Sequence, residues 1–181
     1  MNNDHTSRLA LTSSEKATLR SQGIKLKDIA SSSVELLRSA LKTSTVRAME
    51  IKALSEFESI PSVGSKFAHD LVSLGYYSLD QLKNKKPAKL YGELELMIGA
   101  WADPCLEDQF RLVVHYANNP TSKMNWWDFT TERKKYREKH GYSSKRPVKP
   151  WYELEQYKKI NKVPSKSAVQ KKICLSAPKD Q

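Results

Sequence analysis

A turn from Ile60 to Gly64 carries the residues whose types and spacing have the clearest chemical use. It joins an apolar helix end to a second helix pattern, which has Phe67, Ala68 and Leu71 on one face. Backbone amides at the start of a helix point outward and carry the positive end of its dipole, so such a turn can hold a phosphate. The candidate contact residues are Pro61, Ser62, Val63, Gly64, Ser65 and Lys66.

A lysine cluster follows this turn along the chain. Lys83, Lys85, Lys86 and Lys89 fall within seven residues, and Pro87 among them is placed to begin a helix. Lysines in such a cluster can contact phosphates. The same pattern is also typical of an exposed loop and helix edge, and both interpretations stay open.

Cys105 is the third chemical candidate, because Asp103 and Pro104 before it indicate a helix start. The helix dipole favours a reactive thiolate in a first turn, but the neighbouring Glu107 and Asp108 oppose one. His115 falls on another face of the same helix, so the local sequence supplies no base for the thiol. We therefore expect a structural cysteine and no catalytic residues.

The composition limits the class of protein. The chain has 181 residues, of which 39% are hydrophobic, enough to build a core. It contains no run of about eighteen apolar residues and no apolar signal segment at the N-terminus, so we expect a cytoplasmic protein without a membrane partner. Cys105 and Cys174 have neither metal-ligand spacing nor a disulfide pattern, so no metal or cofactor is predicted.

The positive charge is concentrated towards the C-terminus. Residues 1–131 hold 16 Lys and Arg against 15 Asp and Glu, whereas residues 132–181 hold 15 against 5. A basic extension on a near-neutral body raises affinity for nucleic acid through counterion release, and it also keeps proteins soluble. Composition does not separate these two uses.

Helical periodicity and turn signals predict an all-α protein in four segments, a monomer or weak dimer. Residues 1–58 form a helical hairpin, and residues 59–141 form the Pro61 hairpin with later helices, packed as one body with the first segment. Residues 142–157 are an extended covering segment, and residues 158–181 are a basic disordered tail. In detail, Thr12 with Glu15 and Ser32 with Glu35 are read as capping boxes of two helices. Val46 and Met49 are read as part of a buried face of a longer helix that follows the Thr43-Ser44-Thr45 turn.

The Pro61 turn resembles the helix-hairpin-helix family of DNA-binding modules. That family has an apolar residue, Pro, Gly, an apolar residue and Gly, then Ala about four residues on, and this chain matches it at Ile60, Pro61, Val63, Gly64 and Ala68. Ser62 stands where the first glycine usually does. Because a Cβ hinders a positive φ and close approach to phosphate, the hairpin is either a DNA contact or a scaffold that packs two helices.

A wider resemblance covers about residues 8–153. The strings FESIPSVGSKFAHDLVSLGYYSLDQL, DPCLEDQFRLVVHYANNP and NWWDFTTERKKYREKHGY resemble the bacterial pathogenicity-locus family of helix-hairpin-helix proteins, often labelled mitomycin-resistance proteins. The residue pattern predicts a tandem helix-hairpin-helix-like body with an extended, basic C-terminal segment. The resemblance implies an all-α helix-hairpin-helix body and a role at DNA. It implies phosphate contacts at Pro61, Val63 and Gly64 and no catalytic residues.

The leading expectation is a non-enzymatic, sequence-nonspecific DNA-binding protein that contacts the phosphate backbone. One alternative is a protein-interaction adaptor without DNA binding, which the near-neutral body and Ser62 favour. The other is a thiol-dependent enzyme or drug-inactivating protein using Cys105, which the resistance label favours.

Overall fold

The computed structural model describes residues 11–155, in which helices are joined by turns and loops. Seven α-helices lie in this range: α1 Ser13–Ser21, α2 Val34–Leu41, α3 Thr45–Glu58, α4 Ser65–Ser73, α5 Pro87–Ile98, α6 Pro104–Asn118 and α7 Thr130–His140. Short 3-10 helices span Leu26–Asp28, Leu79–Leu82, Trp126–Phe129 and Trp151–Glu153. Within this range no strand forms beyond an isolated parallel bridge between Trp101 and Pro150, so the all-α prediction is confirmed. The predicted tail, residues 158–181, and Cys174 lie outside the described residues.

Side-chain caps set several helix starts. At α1, Thr12 and Glu15 form the reciprocal capping box that the sequence indicates. The cap of α2 is Ser33, whose hydroxyl accepts from the Leu36 amide at 3.1 Å. The prediction that Ser32 caps this helix is wrong, because the Ser32 hydroxyl donates to the Asp28 carbonyl at 2.9 Å.

Backbone proximity divides the described residues into two compact units. The first unit contains residues 11–85 and 113–124, and the second contains residues 86–112 and 125–155. Helix α6 passes from the second unit into the first after Leu112. The sequence-based division at residues 58, 141 and 157 stays a prediction.

In the first unit, α3 packs on both α2 and α4. Its buried residues include Ala48, Ile51, Leu54 and Phe57, each at most 2% exposed. Val46 and Met49 are 60% and 37% exposed, so the prediction that they face the core is wrong. A helix that packs on two neighbours buries the rows between them, and the Val46–Met49 row is left outside these rows.

The second unit has its own apolar core and several buried charges. Leu90, Tyr91, Leu94, Phe110 and Leu112 are at most 2% exposed. Its buried charged residues are Glu95, Glu107, Asp108, Arg111 and Arg133. Among residues 11–155, no helix is long and apolar enough to cross a membrane.

Candidate nucleic-acid interface

The turn between α3 and α4 contains a residue in the left-handed region two positions before the N-cap of α4. The Val63 amide donates to the Ile60 carbonyl at 3.2 Å, which closes a four-residue turn with Pro61 in its second position. Ser62 in the third position has a φ of +58°, in the left-handed region. Ser62 therefore adopts the conformation that glycine usually supplies, at a cost of about 1 kcal/mol for an L-residue.

Exposure distinguishes the tip of this turn from its base. Ser62, Gly64, Ser65 and Lys66 are exposed, and Pro61 is half-buried. The Val63 side chain is only 6% exposed and its amide is used inside the turn, so Val63 holds the turn to the core.

Gly64 begins α4 as its N-cap residue, in an extended conformation with φ −98° and ψ 165°. Any L-residue adopts these angles, and a Cβ added here would meet no other described atom within 4 Å. Neither backbone strain nor packing among the described residues therefore requires glycine at this position. The missing side chain leaves open space beside the first turn of α4, where a phosphate oxygen could approach.

A second turn, from Leu82 to Lys85, repeats the backbone of the first. The Lys85 amide donates to the Leu82 carbonyl at 3.2 Å, and Asn84 in the third position has a φ of +59°. One extended residue, Lys86, then precedes α5 as Gly64 precedes α4. Both turns begin with a buried aliphatic residue, because Ile60 is 2% and Leu82 0% exposed.

This repeat was not predicted from the sequence, although the lysines within it were candidate contacts. The two turns share only an apolar first residue, and the second has no Pro-Gly signature. Asn84 was the one local signal, because Asn enters the left-handed region more readily than most L-residues.

The lysines of the candidate interface lie at the surface and contact neighbours close in sequence. The Nζ atoms of Lys66, Lys83 and Lys89 lie 3.8, 2.7 and 3.7 Å from the nearest carboxylate oxygens of Asp70, Asp80 and Glu93. Lys85 lies over the Tyr76 ring at 5.7 Å from its centroid. Exposed pairs of this kind contribute at most about 1 kcal/mol, so they do not prevent a lysine from turning to a phosphate.

The carboxyl group of Asp70 influences the electrostatic potential around Lys66. Burial raises the pKa of its carboxyl above the usual value, and the charges of Lys66 and His69 oppose this shift. Its Oδ2 atom is buried and has no hydrogen-bond partner among the described residues. Ionised Asp70 therefore weakens the attraction of Lys66 for an anion and is itself poorly solvated.

Cys105 lies in the first turn of α6, as predicted from the Asp103-Pro104 start. Its amide donates to Oδ1 of Asp103 at 2.8 Å, so a carboxylate already occupies the positive end of the helix. His115 lies further along α6, with Nε2 at 3.1 Å from Oγ of Ser122. The Cys105 contact caps the start of α6, and the His115 contact holds the loop that follows α6.

Glu107 and Asp108 are completely buried in ion pairs that the sequence did not indicate. Glu107 pairs with Arg137 at 2.7 Å and Arg111 at 3.0 Å, and Asp108 pairs with Arg133 at 2.8 Å. Burial raises the pKa of Asp108, and the Arg133 hydrogen bond opposes that shift. The partners on α7 lie 25 or more positions away, so only tertiary packing brings them to α6.

The family match covers both turns. A family model described as a pathogenicity locus matches residues 50–135. The mitomycin resistance protein McrB of Streptomyces lavendulae is 30% identical over 81 residues, which are 45% of this chain and 76% of that protein. The chain belongs to the pathogenicity-locus family. No solved structure matches this pathogenicity-locus protein significantly. Residues 142–154 lie beyond the part that the family model matches.

Proposed function

We propose that this chain is a non-enzymatic, sequence-nonspecific DNA-binding protein whose two turns contact the phosphate backbone. The proposal depends chiefly on the shared turn backbone, with Ser62 at φ +58° and Asn84 at φ +59°. Conformations that cost L-residues energy persist where the surrounding structure enforces them, and such residues cluster at functional sites. The biological setting that we propose is resistance to mitomycin, the property named for the Streptomyces lavendulae relative.

Each of the two turns would supply part of the contact with DNA. At the first turn, the open space over Gly64 would admit a phosphate to the amides at the start of α4, with Lys66 beside it. At the second turn, Lys83, Lys85 and Lys86 would supply positive charge. Contacts to phosphate position a protein on DNA but carry no sequence information, so binding would be nonspecific.

Gly64→Val is the sharpest test of the first turn. The backbone angles and the open space at this position both tolerate the new side chain, so the protein should fold normally. The valine side chain would occupy the space proposed for the phosphate and should weaken binding to a short labelled duplex by about tenfold, in line with removal of one charge-assisted hydrogen bond. Fluorescence anisotropy at two salt concentrations measures this, with circular dichroism to check the helices.

The control for this substitution is Gly92→Ala in α5, where an added Cβ also meets nothing within 4 Å. It should bind DNA as the unmodified protein does. If the Gly64→Val protein folds and binds DNA with undiminished affinity, the first turn only packs two helices and does not contact DNA.

The second turn is tested by the double variant Lys83→Gln, Lys85→Gln. Its matched control is Lys25→Gln, Lys27→Gln, which removes the same charge from two other exposed lysines of the first unit. If the turn binds phosphates, the first variant should lower the salt dependence by about 0.9 for each phosphate that the protein no longer neutralises, and the control should change it less. Equal effects of the two variants would mean that only net charge matters.

A protein-interaction adaptor is the second candidate. Val46 and Met49 are exposed three positions apart on α3, so they form an adjacent apolar pair. Failure of the full-length protein to bind duplex or single-stranded DNA at low salt would favour this alternative.

A further inference from the structure

A cluster of three aromatic residues in the second unit serves no purpose in the proposed phosphate contacts. The Tyr152 ring lies 5.9 Å from Trp101 at 90° and 5.9 Å from Trp151 at 78°. Tyr152 is 41% exposed, and both tryptophans are half-buried. A cluster that only closed a core would be buried like Phe129, which is 6% exposed. The exposed part of the Tyr152 ring is therefore accessible to a ligand.

The cluster is held in place by the C-terminal arm, which we define as residues 142–154. Trp101 donates its amide to the Lys149 carbonyl at 2.8 Å, and Trp151 donates its amide to the Trp101 carbonyl at 2.9 Å. Arg146 binds both carboxylate oxygens of Glu95 at 2.7 to 3.0 Å and donates to the Tyr91 hydroxyl at 3.0 Å. The aromatic rings therefore stand on a fixed backbone, which lowers the entropy cost of binding a ligand.

The charge beside the cluster selects an anionic ligand. From Gly141 to Tyr152 the chain contains Lys145, Arg146 and Lys149 and no acidic residue, and acids resume at Glu153. Lys145 and Lys149 are exposed. Arg146 neutralises the buried Glu95 and places its guanidinium 5.5 Å from the Trp101 ring centroid. The exposed Lys145 and Lys149 precede Trp151 by six and two residues, and aromatic rings with positive charge nearby suit the bases and phosphates of a single strand.

We propose that Trp101, Trp151 and Tyr152, with Lys145 and Lys149, form a stacking site for unpaired bases of single-stranded DNA. This inference rests on the proposed DNA-binding function and adds a preference for DNA that contains unpaired bases. A base in a duplex has both faces stacked on its neighbours, so this site distinguishes single strands from duplexes. The phosphate contacts of the two turns do not make that distinction.

The test uses the full-length protein, a labelled twelve-nucleotide oligothymidylate and a labelled duplex of the same length. Tyr152→Ala should weaken oligothymidylate binding by about tenfold, as expected when one base loses its stacking partner, and change duplex binding less than twofold. Tyr152→Phe keeps the ring and should retain single-strand binding. Tyr136→Ala removes another exposed aromatic ring, 38% exposed and on α7, and serves as the matched control.

A second variant, Lys145→Gln with Lys149→Gln, leaves the rings and backbone bonds in place and should weaken oligothymidylate binding preferentially. Equal loss of single-strand and duplex binding in Tyr152→Ala, or no loss in either variant, would overturn the stacking site while leaving the turns as phosphate contacts. Absence of binding to both DNAs in the unmodified protein would overturn this inference together with the proposed function.

Discussion

Ser62 and Asn84 show how a single backbone angle defines the candidate interface. Both occupy the left-handed region at nearly the same φ, in turns that the same hydrogen bond closes at 3.2 Å. The buried residues Ile60 and Leu82 anchor the turns, so core packing offsets the local strain. The two turns therefore share a backbone conformation although their side chains differ.

Replacing Ser62 with glycine should stabilise the protein. Glycine has no Cβ to clash at a positive φ, but it loses more entropy on folding than serine does. Because the relief of strain is the larger effect, we expect the free energy of unfolding to rise by about 0.5 kcal/mol. Urea unfolding measures the change. Ser65→Gly, at the first helical position of α4, should destabilise instead, because that residue has no strain to lose. A loss of stability in Ser62→Gly would show that the serine makes a compensating contact.

Asp70→Asn should change the pH dependence of stability. The pKa of Asp70 is raised on folding, so its favourable contribution is complete below the unfolded pKa of about 3.8 and is lost as pH rises through the folded pKa. Asparagine has no charge to bury. The free energy of unfolding of the variant, relative to that of the unmodified protein, should therefore rise by roughly 1 kcal/mol between pH 3.5 and pH 7. Thermal unfolding at both pH values tests this. Asp80→Asn, at a side chain 82% exposed, is the control. A stability difference that is the same at both pH values would contradict the prediction.

At the scale of elements, local signals predicted the helices well and the charged contacts poorly. Periodicity and caps predicted α1, the starts of α3 and α6, and the all-α class, because helix formation depends on residues within four positions. The cap of α2 was placed one residue early, at Ser32, because two adjacent serines offer the same chemistry. The ion pairs of Glu107 with Arg137, Asp108 with Arg133 and Glu95 with Arg146 escaped prediction, since these arginines lie on other parts of the chain.

The same distinction applies to the candidate site. Proline and glycine made the first turn visible, whereas the second turn was predicted only as a lysine cluster. Its backbone could not be read from LKNKK, in which only Asn84 hints at a positive φ. The aromatic residues of the C-terminal arm were expected to cover the body, and their arrangement around Tyr152 depends on the bridge at Trp101.

Arg146 is the residue on which the attachment of the C-terminal arm depends most. Its removal would leave Glu95, 2% exposed, with the Ala102 amide at 2.9 Å but without its paired cation. Arg146→Ala should therefore destabilise the second unit by about 2 kcal/mol and speed tryptic cleavage after Lys145. Denaturant unfolding and timed proteolysis measure both effects.

Val148→Ala is the control in the same arm, because this side chain is 93% exposed and its removal should change neither stability nor the cleavage rate. The double variant Arg146→Met, Glu95→Met removes both charges and should recover part of the lost stability. If Arg146→Ala leaves stability and cleavage rate unchanged, the two backbone bonds at Trp101 suffice to hold the arm.

At the scale of the whole molecule, the charge distribution separates two contributions to the DNA binding that we propose. The turns have fixed geometry, whereas residues 158–181 contribute charge from outside the described residues. Seven lysines lie in that last stretch: Lys158, Lys159, Lys162, Lys166, Lys171, Lys172 and Lys179. A contribution from geometry and one from charge respond differently to salt.

Truncation after Tyr157 should weaken duplex binding and flatten its salt dependence. Each phosphate that the seven lysines neutralise adds about 0.9 to the slope of log affinity against log salt, so removal of several such lysines is readily measured. Gly64→Val should still weaken binding in the truncated protein, because the geometry of the first turn does not depend on the tail. We expect the truncation to have the larger effect at low salt, where unscreened charges act over a longer range. Anisotropy titrations between roughly 50 and 200 mM salt, on full-length and truncated protein each with and without Gly64→Val, separate the contribution of the tail charge from that of the turn geometry. Truncated protein that binds as tightly as the full chain, with the same slope, would assign DNA binding to the turns alone.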